Sequence, residues 1–287
     1  MNDLVRGFCI CGSDTVYGSM DSEKFRLYVN NLILNSTENK IRNFLTCPLD
    51  QSIQVCLINT ILLKAKWPDK LDLIQEFLFF DCKEQCSKTP AVKYKNGTGC
   101  KVKIKNIDWT VSWLPFKDLD YGVVLAMPEI NHKDCFSQSG IFNEVLKVIE
   151  SVELMKPCHS TFPKLKVEST WDDLVFVMSQ ANLLRTAFNP TEADFGLLSE
   201  DTYKGSSFYI SMIIQKAIIE LDEFGVQAAA ATGVGGMFGG RRIERPRPEY
   251  HFDKPFKLFI VYKPSGTMIF ETTIVNAPEQ PMMQWSQ

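Results

Sequence analysis

The stretch GVQAAAATGVGGMFGGRRIERPRPEY, Gly225 to Tyr250, decides how the chain is read. Four alanines, several glycines, paired arginines and prolines follow directly on a strand-like segment. Three readings compete: a phosphate-binding glycine loop, a flexible linker, or a loop built to be attacked and then moved. Gly233-Val234-Gly235-Gly236-Met237-Phe238 begins like G-x-G-x-x-G, but Phe238 stands where the last glycine is needed. No helix opens behind it to present its N-terminus to a phosphate; arginines and prolines do. Small residues with glycine suit a linker, yet a linker has no need of the pattern that alternation reveals.

In an extended segment, alternate side chains face one side. One set is Val226, Ala228, Ala230, Thr232, Val234 and Gly236, without a charge or a large side chain. The other is Gly225, Gln227, Ala229, Ala231, Gly233 and Gly235, with one polar side chain to face solvent. Such a segment can slip between two existing strands at little steric cost. Beyond it, MFGGRRIERPRPEY offers side chains that attract proteases. The composition fits a loop that is first exposed and then inserted.

The whole chain sets the bounds. It has 287 residues, 45% hydrophobic and 23% charged, with net charge −3, as in an ordinary globular protein. That balance gives no electrostatic footprint for nucleic acid, and no apolar run reaches the length of a membrane span. The opening MNDLVRGFCICGSD has too short an apolar stretch for a secretory signal. Nine cysteines show no C-x-x-C pair and no zinc spacing, so neither a metal nor a cofactor is expected. Two N-x-[ST] sequons occur, at Asn35 and Asn96.

Helical spacing of Phe25, Val29, Leu32 and Ile33 predicts a helix within Asp21–Leu45, and Ser36 can start a further short turn. Ser52–Trp67 reads as a strand buried on both faces, with a helix as the alternative that periodicity alone leaves open. Trp109–Phe116 and Tyr121–Glu129 read as strands joined by a polar turn, Ile141–Val152 as an amphipathic helix, and Ser160–Thr170 as a strand. Trp171–Leu184 looks helical. Ser206–Glu223 is a long strand, and Lys254–Val275 is a hairpin turning at Lys263–Gly266. Mixed elements without βαβ regularity predict an α+β fold.

These residues resemble those of the serpin family over about Asp21 to Pro278. ELDEFGVQAAAAT resembles the family's hinge, matched by Glu223, Gly225, Ala228 to Ala231 and Thr232. LINTILLKAKW resembles its "N-A-x-x-F-K-G-x-W" strand through Asn59, Lys64 and Trp67. FPKLKVEST, FNPTEADFGLLSED and DKPFKLFIVYKPSGTMIF resemble three further motifs in the family's order. The resemblance implies a partial serpin domain over 21–278, an atypical segment over 1–20 and a tail over 279–287. The implied architecture is mixed β-sheets with surrounding helices and an exposed reactive-centre loop.

The resemblance further implies inhibition of a serine endopeptidase by a suicide-substrate mechanism. The protease attacks the loop and forms an acyl-enzyme; the cut loop then inserts as a new strand and traps the enzyme before hydrolysis finishes. The expected reactive-loop hinge is Glu223, Gly225, Val226, Gln227, Ala228, Ala229, Ala230, Ala231 and Thr232. Family spacing from Gly225 places the scissile residue at Gly239, before Gly240. Phe238 would attract a chymotrypsin-like enzyme, and Arg241 and Arg242 a trypsin-like one; spacing and chemistry disagree. The resemblance implies an extracellular setting, with a cytoplasmic one as the alternative.

The chain departs from the family pattern. It matches from a mid-domain helix onward, which leaves the expectation of exposed apolar sheet surface, met by instability, a partner or aggregation. The family's shutter histidine is Gln215, its "HPF" reads Lys254-Pro255-Phe256, and Val226 and Gln227 replace a hydroxyl and an acid in the hinge. The alternative function is a non-inhibitory binding or structural protein on the same fold. An enzyme is not expected: Ser179 and Cys158 lack a nucleophile motif, and His132, His159 and His251 lie in loop or strand-edge contexts.

Overall fold

The computed structural model describes residues 22–50, 52–53, 55–62, 65–130, 136, 140–181, 184–195, 209–224 and 246–277. They fall into two compact units. One comprises the described parts of Met1–Leu62 and Glu168–Ile218, the other those of Leu63–Val167 and Ile219–Gln287. The fold is α+β, with mixed sheets and helices, as the residue pattern predicts.

In the first unit, helix α1 spans Ser22–Ser36. Phe25, Val29 and Ile33 stand four apart and form one stripe. Val29 and Ile33 are buried with Ile41, Phe44, Leu45, Ile214 and Ile218, and Phe25, Cys56, Ile58 and Met212 pack at the margin. The helix is closed by Thr37, whose hydroxyl donates to the Ile33 carbonyl at 2.6 Å and accepts from the Ile41 amide at 3.2 Å. Asn30 holds the following segment with its amide, donating to the Leu45 carbonyl and accepting from the Leu45 amide.

Beneath α1 lies strand β1, Val55–Leu62, the first of the three-stranded sheet β1-β8-β7. Its neighbour β8, Ile210–Leu221, runs parallel to it, with Cys56 opposite Met212 and Leu62 opposite Ile218. The two-residue period turns Cys56, Ile58, Met212, Ile214 and Ile218 toward α1. The expectation that β1 is buried on both faces is corrected: Leu57 is 45% exposed. α1 packs on the face opposite Leu57, which leaves the Leu57 face open among the described residues.

Strand β7, Leu165–Trp171, lies on the far side of β8. Helix α3, Leu174–Gln180, follows, with Asp173 accepting from the Phe176 amide as its N-cap. The predicted single strand Ser160–Thr170 is two strands in different sheets. Strand β6, Lys156–Pro163, pairs with β3, whereas β7 pairs with β8. The break falls at Pro163, which has no amide to continue a ladder. Leu165 and Val167 alternate with charged residues beyond Pro163, so the stretch still reads as one strand.

The second unit is built on an eight-stranded sheet in the order β11-β10-β5-β4-β3-β6-β9, with β2 added on β3. Its strands are β2 (Asp72–Phe80), β3 (Cys86–Ile104), β4 (Ile107–Pro115), β5 (Tyr121–Pro128), β9 (Glu249–His251), β10 (Phe256–Tyr262) and β11 (Thr267–Ile274). Helix α2, Ile141–Glu150, buries Ile141, Val145, Val148 and Ile149 against Trp109, Val124, Phe259 and Val261. β4, β5, α2, β10 and β11 form where the hydrophobic pattern places them. Strands β2, β3 and β9 escaped that pattern. β3 carries Lys88, Lys93, Lys95, Lys101 and Lys103 with glycines between, and β9 is three residues long. The hairpin β10–β11 turns at Gly266, whose φ of 64° favours glycine.

Candidate functional site

The alanine- and glycine-rich segment begins where β8 ends, and the structure fixes the residues on both sides of it. At the N-terminal side, Asp222, Glu223 and Phe224 lie along the segment Trp67–Leu71. The Trp67 indole N–H donates to the Asp222 carbonyl at 2.8 Å. The Leu71 amide donates to the Glu223 carbonyl at 2.8 Å, and the Trp67 amide to that of Phe224 at 3.3 Å. Three successive carbonyls are therefore held by one short stretch. Asp222 also accepts from the Phe224 amide, closing a local turn.

The side chains reinforce the backbone. Glu223 keeps 15% of its side chain exposed and pairs with Lys164, Nζ to Oε2 2.7 Å. Burial pushes its carboxyl upward, but Lys164, its own backbone and the charge of Lys70 together outweigh that and hold it below the ordinary value. The Lys70 ammonium stands 4.7 Å from the centre of the Phe224 ring. Trp67 is buried at 3% and packs against Tyr94 and Phe116, with ring centres at 5.3 and 4.8 Å. This rigid platform carries residue 224, one residue before Gly225.

On the C-terminal side the chain is fixed from residue 246 onward. The His159 amide donates to the Pro248 carbonyl at 2.9 Å, and β9 then pairs in parallel with β6 over Glu249–His251. Lys93 stands 2.7 Å from Glu249, whose carboxyl is lowered chiefly by that contact. Arg247 donates to the Lys95 carbonyl at 3.4 Å.

Of the expected hinge residues, Glu223 is placed on this platform. Gly225, Val226, Gln227, Ala228, Ala229, Ala230, Ala231 and Thr232 lie outside the described residues, as do Phe238, Gly239, Gly240, Arg241 and Arg242. Sequence reasoning missed Lys70, Leu71, Lys164, Asp222 and Phe224, although Lys164 and Phe224 sit inside matched motifs. Asn59 and Gln215 meet on adjacent strands β1 and β8, Nδ2 to Oε1 3.2 Å. The glutamine thus makes an amide–amide bond at the position where the family pattern has histidine.

The residues weighed for other chemistry are placed apart from one another. Cys158 is fully buried, and burial pushes its thiol up, away from a reactive thiolate. The His159 ring is engaged by the Lys95 carbonyl at 2.8 Å, and His251 lies 3.8 Å from Glu249. Ser179 lies in α3, and His132 is outside the described residues. Among the described residues no three His, Cys, Asp or Glu side chains are grouped to hold a metal ion, and no helix is long and apolar enough to cross a membrane.

Two strands held in parallel, a tightly pinned turn at the end of one of them and an alanine-rich segment beyond it define a fold that known proteins share. The family model "Serpin (serine protease inhibitor)" matches residues 16–277, and the chain belongs to the serpin family. It is 26% identical over 254 residues to Serpin B8 of Homo sapiens, covering 87% of this chain and 65% of that protein. It is 26% identical over 262 residues to the leukocyte elastase inhibitor of Sus scrofa, with the same shares. The solved structure of human thyroxine-binding globulin superimposes with a TM-score of 0.72 at 19% identity, covering 90% of this chain and 66% of that one. The chain thus spans just under two thirds of the length of the curated relatives it matches.

Proposed function

We propose that this protein inhibits a serine endopeptidase by offering the segment after Gly225 as a substrate and inserting it, once cut, between β1 and β8. The observation that carries the reading is the parallel pairing of β1 with β8, the strand that leads into the loop. A chain that turns back at Gly225 runs antiparallel to β8. Because β1 is parallel to β8, the returning chain is antiparallel to β1 as well. Insertion then exchanges one parallel ladder for two antiparallel ones, which pair somewhat better per residue and bury a further strand.

The composition of the segment fits that place. In an extended segment Val226, Ala228, Ala230 and Thr232 would share one small, uncharged face, and the held carbonyls of residues 222–224 bring the fixed chain to the residue before Gly225. The family and the name of the elastase-inhibiting relative support the same reading. Within it, the partner is a serine protease of trypsin-like or chymotrypsin-like preference, the setting is extracellular, and no residue of the chain is catalytic.

Incubation with trypsin, chymotrypsin and elastase, followed by a denaturing gel and mass spectrometry of the cleaved bond, tests this. A band at the summed mass is expected, and the cleaved bond decides between Gly239 or Phe238 and Arg241 or Arg242. Clean cleavage within 237–242 without that band would instead mean a non-inhibitory protein with an exposed loop.

A further inference from the structure

Gly225 carries no side chain, so Phe224 is the last residue whose side chain can hold the fixed chain before the alanine-rich segment. Its ring faces the Lys70 ammonium, 4.7 Å from the ring centre. Its amide donates to the Asp222 carboxylate at 2.8 Å, and its carbonyl accepts from the Trp67 amide at 3.3 Å. That last bond is longer than the 2.8 Å bonds that hold the carbonyls of Asp222 and Glu223. The backbone is therefore held least firmly at residue 224, and there the contact with Lys70 counts most. The charge of Lys70 also reaches the Glu223 carboxylate, which pairs with Lys164 at 2.7 Å. One exposed lysine thus acts on two successive side chains where the chain leaves β8.

These contacts oppose the movement that insertion requires. A chain that reverses at Gly225 needs a turn, and a β-turn sets the dihedrals of the residues beside its centre as well. Resetting Phe224 swings its carbonyl away from the Trp67 amide and its ring away from Lys70. The cation–ring contact exists before the reversal and is lost during it, so it slows the step without adding to the inserted state.

We propose that Lys70, through the Phe224 ring, restrains entry of the segment after Gly225 and so sets how fast the loop moves between β1 and β8. Lys70 is a positioning residue: it touches neither the cleaved bond nor the protease. The role rests on the insertion step of the proposed function and does not depend on which protease is trapped.

The test compares the full chain with Lys70→Gln, Lys70→Arg and Phe224→Leu, and with Lys70→Gln made on the Phe224→Leu background. Amide exchange at Trp67 and Leu71, which donate to the carbonyls of Phe224 and Glu223, reads the hold itself. A labelled synthetic peptide with the sequence of residues 225–236 reads entry between β1 and β8 with no protease present. Loss of an exposed cation–ring contact is expected to speed both exchange and peptide uptake by about two- to fivefold in Lys70→Gln. Lys70→Arg keeps a cation over the ring and is expected to leave both near their original rates. On the Phe224→Leu background Lys70→Gln is expected to change neither.

Four outcomes overturn the proposal. One is unchanged exchange in Lys70→Gln. Another is faster exchange without faster uptake, which takes the contact off the path of entry. The third is an effect that persists on the Phe224→Leu background, which places the action of Lys70 on Glu223 instead. The last is no uptake by any variant, since there is then no entry to restrain. If the peptide enters at the expected rates while no protease forms a covalent complex with the chain, the inhibitor reading fails and the restraint stands.

Discussion

Replacing Lys164 by methionine removes the cation that holds Glu223 while keeping most of the side chain's length. Lys164 Nζ is 2.7 Å from Glu223 Oε2, with side chains 32% and 15% exposed, so the pair is shielded from solvent on the carboxylate side. A partly exposed ion pair of this kind contributes about 1 kcal/mol, and at roughly 2–4 °C per kcal/mol for a chain of this size the loss is about 2–4 °C in Tm. The sign with pH follows from the direction of the shift. The Glu223 carboxyl is lowered in the folded protein, so its contribution is fully present above the usual carboxylate range, near pH 5 and higher, and is lost as pH falls through the folded value. Lys164→Met should therefore cost most at pH 7 and less at pH 3. Thermal or urea unfolding of both proteins at the two pH values measures this. An equal loss at pH 7 and pH 3 would refute the argument, because it would show that packing of the lysine stem, not its charge on Glu223, supplies the stability.

Val226→Arg should leave the loop cleavable but cut the covalent protease complex by about tenfold or more, since an unpaired guanidinium on the small face cannot enter between β1 and β8 without a large desolvation cost; the ratio of complex to cleaved chain on a gel reads this. Gly122→Ala should destabilise the second unit by about 1–3 kcal/mol, because a methyl group there would lie 2.6 Å from the Trp113 ring and 2.7 Å from the Leu114 carbonyl; urea unfolding followed by tryptophan fluorescence measures it.

The legible part of the fold is the part in which one face meets a core. α1 and β8 follow the periods of their apolar residues because each buries one side in the cluster they share, and α2, β4, β5 and β10 do so because they bury one side in a second cluster. β3 was not legible, since its lysines and glycines lie along a strand held by β2, β4 and β6 rather than by an apolar stripe. The change of sheet at Pro163 was hidden because alternation resumes at Leu165 and Val167 directly after it. At the site, Glu223 and Trp67 were found through local motifs. Lys70, Leu71 and Phe224 were not, because their meaning comes from a contact across more than 150 positions of chain, as in the Trp67–Asp222 bond.

The sequence by itself determined the α+β class, the family motifs in order and the small, uncharged face of the segment after Gly225, all of which are properties of residue type and short spacing. Tertiary structure alone decided that β1 lies parallel to β8, that the carbonyls of residues 222–224 are pinned by Trp67 and Leu71, and that Asn59 meets Gln215. Pairing partners and register are set by which strands compete for one another's backbone groups. That competition involves the whole chain, and no local stretch of residues records its outcome.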